Sequence, residues 1–146
     1  MRNHNKLPDF WTSRLPDYKN NMKDIISTNA PAPIGPYSQA IVAGNFLFVS
    51  GQVAIHPPTG NLILDNIQAE ATQVMENIKA ILTEAGTDFS HIVKTTIFLK
   101  DMADFGAVNT IYGSYLSNPF PARETVQVSG LPKNVNVEIS VTALLS

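Results

Sequence analysis

Between Val135 and Leu144 the chain alternates without a break: Val135, Val137, Ile139, Val141 and Ala143 are apolar, while Asn136, Glu138, Ser140 and Thr142 are polar. A period of two places the apolar set on one face of a strand and the polar set on the other. The apolar face must be covered, and the chain carries one long segment suited to cover it. Ile67, Ala71, Val74, Met75, Ile78, Ile81, Leu82 and Ala85 step by three and four, which predicts a single amphipathic helix. Asp65 or Asn66 is placed to cap it, Glu70 lies in its first turn, and Gly86 closes it. A stripe of this kind packs against a core.

The remaining periods predict short strands over Lys23–Thr28, Tyr37–Ala43, Asn45–Val53, Ile92–Lys100 and Thr125–Val128. The prolines and glycine of Asn29–Pro36 force an extended loop, and Gly44-Asn45 marks a tight turn. A second helix is expected from about Asp101, a cap candidate, to Leu116. It would bury Phe105, Val108, Ile111, Tyr112 and Tyr115 and end at Asn118-Pro-Phe-Pro121. Two helices cannot cover both faces of a sheet of about six strands, so the economical fold is α+β with both helices on one face. The other face then needs its own cover. Val42, Val49 and Thr96 are candidates for it, and an oligomer burying that face is expected.

Composition narrows the function classes. No run approaches the length of a membrane span. The absence of cysteine excludes disulfides, thiolate metal sites and a cysteine nucleophile, and it suits a reducing, cytoplasmic setting. A formal charge of −2 argues against a broad nucleic-acid footprint. Charge is also uneven. Residues 1–21 form a polar stretch of net +2 with Pro8, Pro16 and the only tryptophan, Trp11. This stretch shows neither period nor the apolar region of a secretory signal, and it is expected to be a dispensable extension, or an over-extended start before Met22. The domain proper is expected over residues 22–146, which hold six basic and ten acidic residues. Arg123 is the single arginine among them.

Histidine chemistry finds no support, because His4, His56 and His91 share no metal-ligand spacing. The informative stretch is Phe120-Pro-Ala-Arg-Glu-Thr-Val-Gln-Val128, followed by Leu131-Pro132 and Val137-Glu138-Ile139. Arg123 opens a strand after a proline-stiffened loop, where a planar guanidinium can grip a carboxylate through two parallel hydrogen bonds. Glu138 is the only acid of the final strand. Two readings stand side by side. Glu138 is Arg123's structural ion-pair partner, or Arg123 fixes a substrate carboxylate while Glu138 orients and deprotonates a water. In the second, groups around Ser50, Gly51 and Thr125 would stabilise developing charge.

Over residues 22–146 the chain resembles the Rid/YjgF family of reactive intermediate deaminases. The resemblance rests on Ala32-Pro-Ile-Gly-Pro-Tyr-Ser38, Phe48-Val-Ser-Gly-Gln52, Ile92-Val-Lys-Thr-Thr-Ile-Phe98, Phe120-Pro-Ala-Arg123, Leu131-Pro132 and Val137-Glu-Ile139. It implies a chorismate-mutase-like α+β fold and a homotrimer with active sites in the clefts between subunits. The implied activity is a hydrolase acting on C=N, a 2-iminobutanoate/2-iminopropanoate deaminase needing no metal or organic cofactor. It would convert 2-imino acids and their enamine tautomers, released by pyridoxal-phosphate dehydratases, to 2-oxo acids and ammonia. The resemblance assigns Arg123 to the carboxylate and Glu138 to the water. It also places Tyr37, Ser50, Gly51, Asn109 and Thr125 around the substrate. Thr125 stands where many members carry cysteine, which implies activity through the backbone N–H without thiol redox control. Glu124 is more acidic than the small residue common there, and strand alternation turns it away from Thr125's face. The alternative is a trimer that binds a 2-oxo acid without turning it over. An acidic domain with a single arginine and no paired histidines argues against ribonuclease activity, and a chorismate mutase would need more cationic groups than Arg123 alone to hold a dicarboxylate.

Overall fold

The computed structural model describes residues 21–145, so the expectation for the N-terminal extension falls almost wholly outside the described residues. The chain runs β1 (Met22–Ile25), β2 (Ala40–Ala43), β3 (Phe46–Gln52), α1 (Ile67–Glu84), β4 (Ile92–Leu99), α2 (Phe105–Ser114), β5 (Ala122–Gln127) and β6 (Val137–Leu144). The strands form one six-stranded sheet in the order β1-β2-β3-β6-β4-β5. All neighbours pair antiparallel except β4 and β5, which are parallel and joined through α2. The last strand therefore sits in the middle of the sheet, and β5 forms an edge.

The long helix forms as the period predicts. Asn66 caps it, its side chain accepting from the Ala69 N–H, and Gly86 follows at a φ of +78°, a conformation glycine adopts without steric cost. Its stripe of Val74, Met75, Ile78, Ile81 and Leu82 packs on Leu47, Val49, Ile97, Leu99, Ile139 and Val141 of the sheet, all buried. Each such side chain contributes roughly 1.5–3 kcal/mol by leaving water. The second helix breaks in two. Asp101 caps a short 3₁₀ turn over Met102–Asp104 through the Ala103 N–H, and the α-helical turns begin only at Phe105. Val108 and Tyr112 are buried as expected, whereas Phe105 remains 39% exposed because it sits at the sheet's edge, beyond the core.

Both helices lie on one face. The residues expected on the other face need correction. Leu47 and Val49 share the buried row of β3, and Val42 pairs with Leu47 on that row, so Val42 and Val49 belong to the helix side. Thr96 does lie on the open face, between the buried Thr95 and Ile97. Its apolar companions there are Phe46, Phe48, Phe98 and Val126, the first two and the last exposed. Among the described residues no helix is long and apolar enough to cross a membrane.

Candidate active site

Arg123 pairs with Thr95 across the parallel β4–β5 ladder, and Thr95 is fully buried beneath the helices. The arginine side chain thus leaves the sheet on the helix face and meets α2. Its Nη1 donates to Asn109 Oδ1 at 2.6 Å, and the guanidinium carbon lies 5.7 Å from the Phe105 ring centre and 5.2 Å from that of Tyr112. Phe105, Asn109 and Tyr112 follow one another at spacings of four and three, which puts them on one stripe of the helix. The Tyr112 hydroxyl donates to Thr95 Oγ1 at 3.0 Å, and burial pushes its pKa up. Asn109, Tyr112, Gly113, Phe120, Pro121 and Arg123 line a cleft of about 450 Å³.

The edge strand adds backbone donors. The Val128 N–H reaches the Leu99 carbonyl at 2.9 Å. By the two-residue alternation of a strand, the N–H groups of Arg123 and Thr125 face away from β4 toward the open edge. Thr125 points its side chain to the same face as Arg123, and its Oγ1 is buried with no hydrogen-bond partner among the described residues. Glu124 turns to the opposite face as alternation requires. There it pairs with Lys94 at 2.7 Å and accepts from the Thr96 hydroxyl, and the Lys94 hydrogen bond is the main cause of a lowered pKa.

Glu138 belongs to a different surface. Val137 and Ile139 beside it are fully buried on the helix side, so Glu138 stands on the open face, across from Phe98. Its carboxyl group lies against Gly51, so close that a Cβ there would sit 2.8 Å from Glu138 Cδ. Glycine is what permits this approach. Gly51 sits where the β3–β6 register shifts between Val49 and Gln52, the kind of bulge that re-aims a strand beside a site. Ser50 is locked there, its N–H donating to the Gln39 carbonyl and its hydroxyl to the Ser38 carbonyl. Tyr37, Gln39 and Gly51 line one small hollow, and the Tyr37 hydroxyl accepts from the Ile34 N–H. No ion pair or hydrogen bond to Glu138 is present among the described residues, and desolvation raises its pKa.

The entry to β6 is held by a residue that the sequence offered only as a helix-start signal. Glu70 is fully buried and accepts from the Asn136 N–H at 2.7 Å, from Asn136 Nδ2 at 2.8 Å and from the Val137 N–H at 3.3 Å. Lys133 and Asn134, just upstream, both sit at a φ of 54°. Lys100 Nζ donates to Asn134 Oδ1 and the Lys100 N–H to the Asn136 carbonyl. A strained turn is thus fastened immediately before Glu138.

Within one chain, then, the expected site residues separate into two groups. Arg123, Asn109 and Thr125 lie on the helix side of the edge strand, and Glu138, Gly51, Ser50 and Tyr37 gather around the bulge. Within one chain Glu138 is not the ion-pair partner of Arg123: strand parity puts their side chains on opposite faces. Phe120, already part of the stretch that carries Arg123, lines the cleft from the loop before β5. Phe105 and Tyr112 enter the arginine group unforeseen, because a stripe of aromatic residues on a helix reads as core. Their signal was the shared helical spacing with Asn109. His56 contacts Thr59 and His91 contacts Asp88, and neither lines the arginine cleft or the hollow at Gly51. Among the described residues no cluster of three or more potential ligands could hold a metal ion.

The family described as Endoribonuclease L-PSP matches residues 27–145. A RutC family protein of Pyrococcus horikoshii is 52% identical over 123 residues, covering 84% of this chain and 98% of the relative. A mouse protein named 2-iminobutanoate/2-iminopropanoate deaminase is 46% identical over 122 residues, covering 84% and 90%. Among solved structures, the Rid family protein YyfA of Yersinia pestis superposes with a TM-score of 0.83 at 47% identity, covering 85% of this chain and 99% of that one.

Proposed function

The chain belongs to the Endoribonuclease L-PSP family, the Rid/YjgF proteins, and from that membership we propose that it is a deaminase of 2-imino acids, hydrolysing 2-iminobutanoate and 2-iminopropanoate to 2-oxo acids and ammonia. The observation that carries this reading is Glu138: a half-buried carboxylate with raised pKa, pressed on Gly51 and without a cation from its own chain among the described residues. A site that only bound 2-oxo acids would need Arg123 and no such base. The mouse relative's name points the same way.

In this reading two copies of the chain build each site. One supplies Arg123, whose free N–H groups take the substrate carboxylate with help from the Thr125 backbone N–H. The other supplies Glu138, with Tyr37, Ser50 and Gly51 forming the wall. Glu138 takes a proton from a water as the oxygen attacks C2 of the iminium. That proton then passes from Glu138 to the nitrogen of the tetrahedral adduct. The carboxylate so freed takes the remaining hydroxyl proton as C=O forms, the C–N bond breaks and ammonia leaves. An iminium carbon is already electrophilic, so oriented water and a neutralised carboxylate suffice. The copies form a homotrimer closed over the open face, where Phe46 and Phe48 await cover. Pyridoxal-phosphate dehydratases supply the imines in the cytoplasm. The nuclease in the family's description does not enter this reading, because Arg123 is the only arginine after residue 21 and that part of the chain is acidic.

Subunit mixing tests it. Arg123→Ala and Glu138→Gln proteins should each fail to accelerate breakdown of imine made by threonine dehydratase. Unfolded together and refolded as hybrids, they should regain activity, since random assembly gives about a quarter of the interfaces both native residues. Wild-type protein that leaves imine decay unchanged would overturn the deaminase, and hybrids without recovery would overturn the shared site.

A further inference from the structure

We infer that Phe105 and Tyr112 act as an aromatic cradle that fixes the plane of the Arg123 guanidinium and thereby sets how tightly the site holds a carboxylate. This rests on Arg123 being the carboxylate-binding residue. An arginine at the edge of a sheet is ordinarily a mobile side chain that must be ordered when a ligand arrives, and that ordering costs affinity. Here the two rings lie within 6 Å of the guanidinium carbon, at 5.7 and 5.2 Å, inside the range of cation–π attraction.

The division of labour follows from the donors. A guanidinium carries five N–H groups in one plane. Asn109 Oδ1 takes one of them, on Nη1, and is the only protein acceptor among the described residues. A ring held by cation–π attraction uses the face of the guanidinium and consumes no in-plane N–H. The cradle therefore restrains the group while leaving a full pair of parallel donors for a carboxylate, which a carboxylate partner in the protein would have blocked. Tyr112 is itself immobilised by its hydroxyl bond to Thr95 and by burial. Phe105 is the adjustable member, since it is more than one-third exposed.

Both residues are positioning residues: they act through Arg123. Phe105→Leu should weaken binding of 2-oxobutanoate, followed by calorimetry, about two- to fivefold. It should raise KM for the imine by a similar factor with kcat unchanged, and leave Tm close to wild type. Phe105→Tyr keeps a π face and should bind as wild type. Tyr112→Phe should lower Tm, by orphaning the buried Thr95 hydroxyl, yet keep 2-oxobutanoate affinity. Phe105→Leu protein that binds as wild type, or that loses kcat with KM unchanged, would overturn the cradle. Loss of affinity in Phe105→Tyr equal to that in Phe105→Leu would do the same. Wild-type protein that fails to bind 2-oxobutanoate would instead remove the carboxylate site, and the deaminase reading with it.

Discussion

The two charged groups of the candidate site are treated in opposite ways by the fold. Arg123 is surrounded by support: a hydrogen-bond acceptor in Asn109 and two aromatic rings, with no carboxylate among the described residues of its own chain to neutralise it. Glu138 is given almost nothing by its own chain: a glycine to lie on, Phe98 across the ladder and, among the described residues, no cation. The contrast is informative because charge is costly to desolvate unless paired. The proposed anion-holding group is helped to stay charged. The proposed base is left where its charged form is disfavoured and its pKa rises. On the proposed reading, one half of the site binds and the other titrates.

The largest effects should come from removing either half. Arg123→Ala should cost about a hundredfold or more in kcat/KM and abolish measurable 2-oxobutanoate binding. Arg123→Lys should fail nearly as badly, since a point charge does not reproduce the planar fork. Glu138→Gln should lower kcat by about 10²- to 10⁴-fold while affinity for the 2-oxo acid survives. The two halves also differ in stability. A carboxylate whose folded pKa is raised binds its proton more tightly in the folded than in the unfolded chain. Its favourable contribution is present at low pH and is lost as pH climbs through the folded value. At neutral pH the ionised Glu138 is therefore a burden within its own subunit, and Glu138→Gln should not lower Tm at pH 7 by thermal unfolding. In the wild type, kcat should fall on the acid side with a midpoint above the ordinary glutamate value. A Glu138→Gln protein that melts lower than wild type at pH 7 would break the contrast.

A smaller effect separates position from identity. Gly51→Ala places a methyl group 2.8 Å from Glu138 Cδ, and the carboxylate end of a flexible side chain can move away from it. Stability should change little, whereas kcat should fall about tenfold because the base is displaced. Affinity for 2-oxobutanoate, governed by the other half, should fall much less. Equal losses in both would mean that the halves are not separable.

Much of this architecture was legible in the sequence, and the omissions have a common cause. The limits of α1 could be read because a 3.6-residue stripe with an asparagine cap and a closing glycine has no competing interpretation. The alternation of β6 could be read because its off-face residues are polar. In β3 the contrast is missing: Leu47 and Val49 alternate with Phe46 and Phe48, both rows are apolar, and only pairing with β6 and cover by α1 choose between them. That is why Val49 was expected on the wrong face. The same limit hid the division of the site. Alternation within β5 and within β6 was clear, but the parity of one strand against the other depends on the register each makes with β4, where Arg123 meets Thr95 and Glu138 meets Phe98. Motif spacing names the residues, and inter-strand register decides which of them meet.

The smallest expected effect is the sharpest check on that register. Glu124 is next to Arg123 in sequence, and an acid beside a carboxylate-binding arginine would repel the substrate if the two shared a face. The structure instead turns Glu124 to the open face, where Lys94 at 2.7 Å and the Thr96 hydroxyl satisfy it and hold its pKa down. Both partners of this ion pair are well exposed, so its loss is cushioned by water. Glu124→Ser should accordingly leave 2-oxobutanoate affinity, KM and kcat within about twofold of wild type, because screening at an exposed position weakens what reaches Arg123 through the strand. A tenfold gain in affinity would mean that Glu124 faces the arginine after all. The register of β5 would then be shifted by one residue, and the separation of the binding half from the titrating half would fall with it.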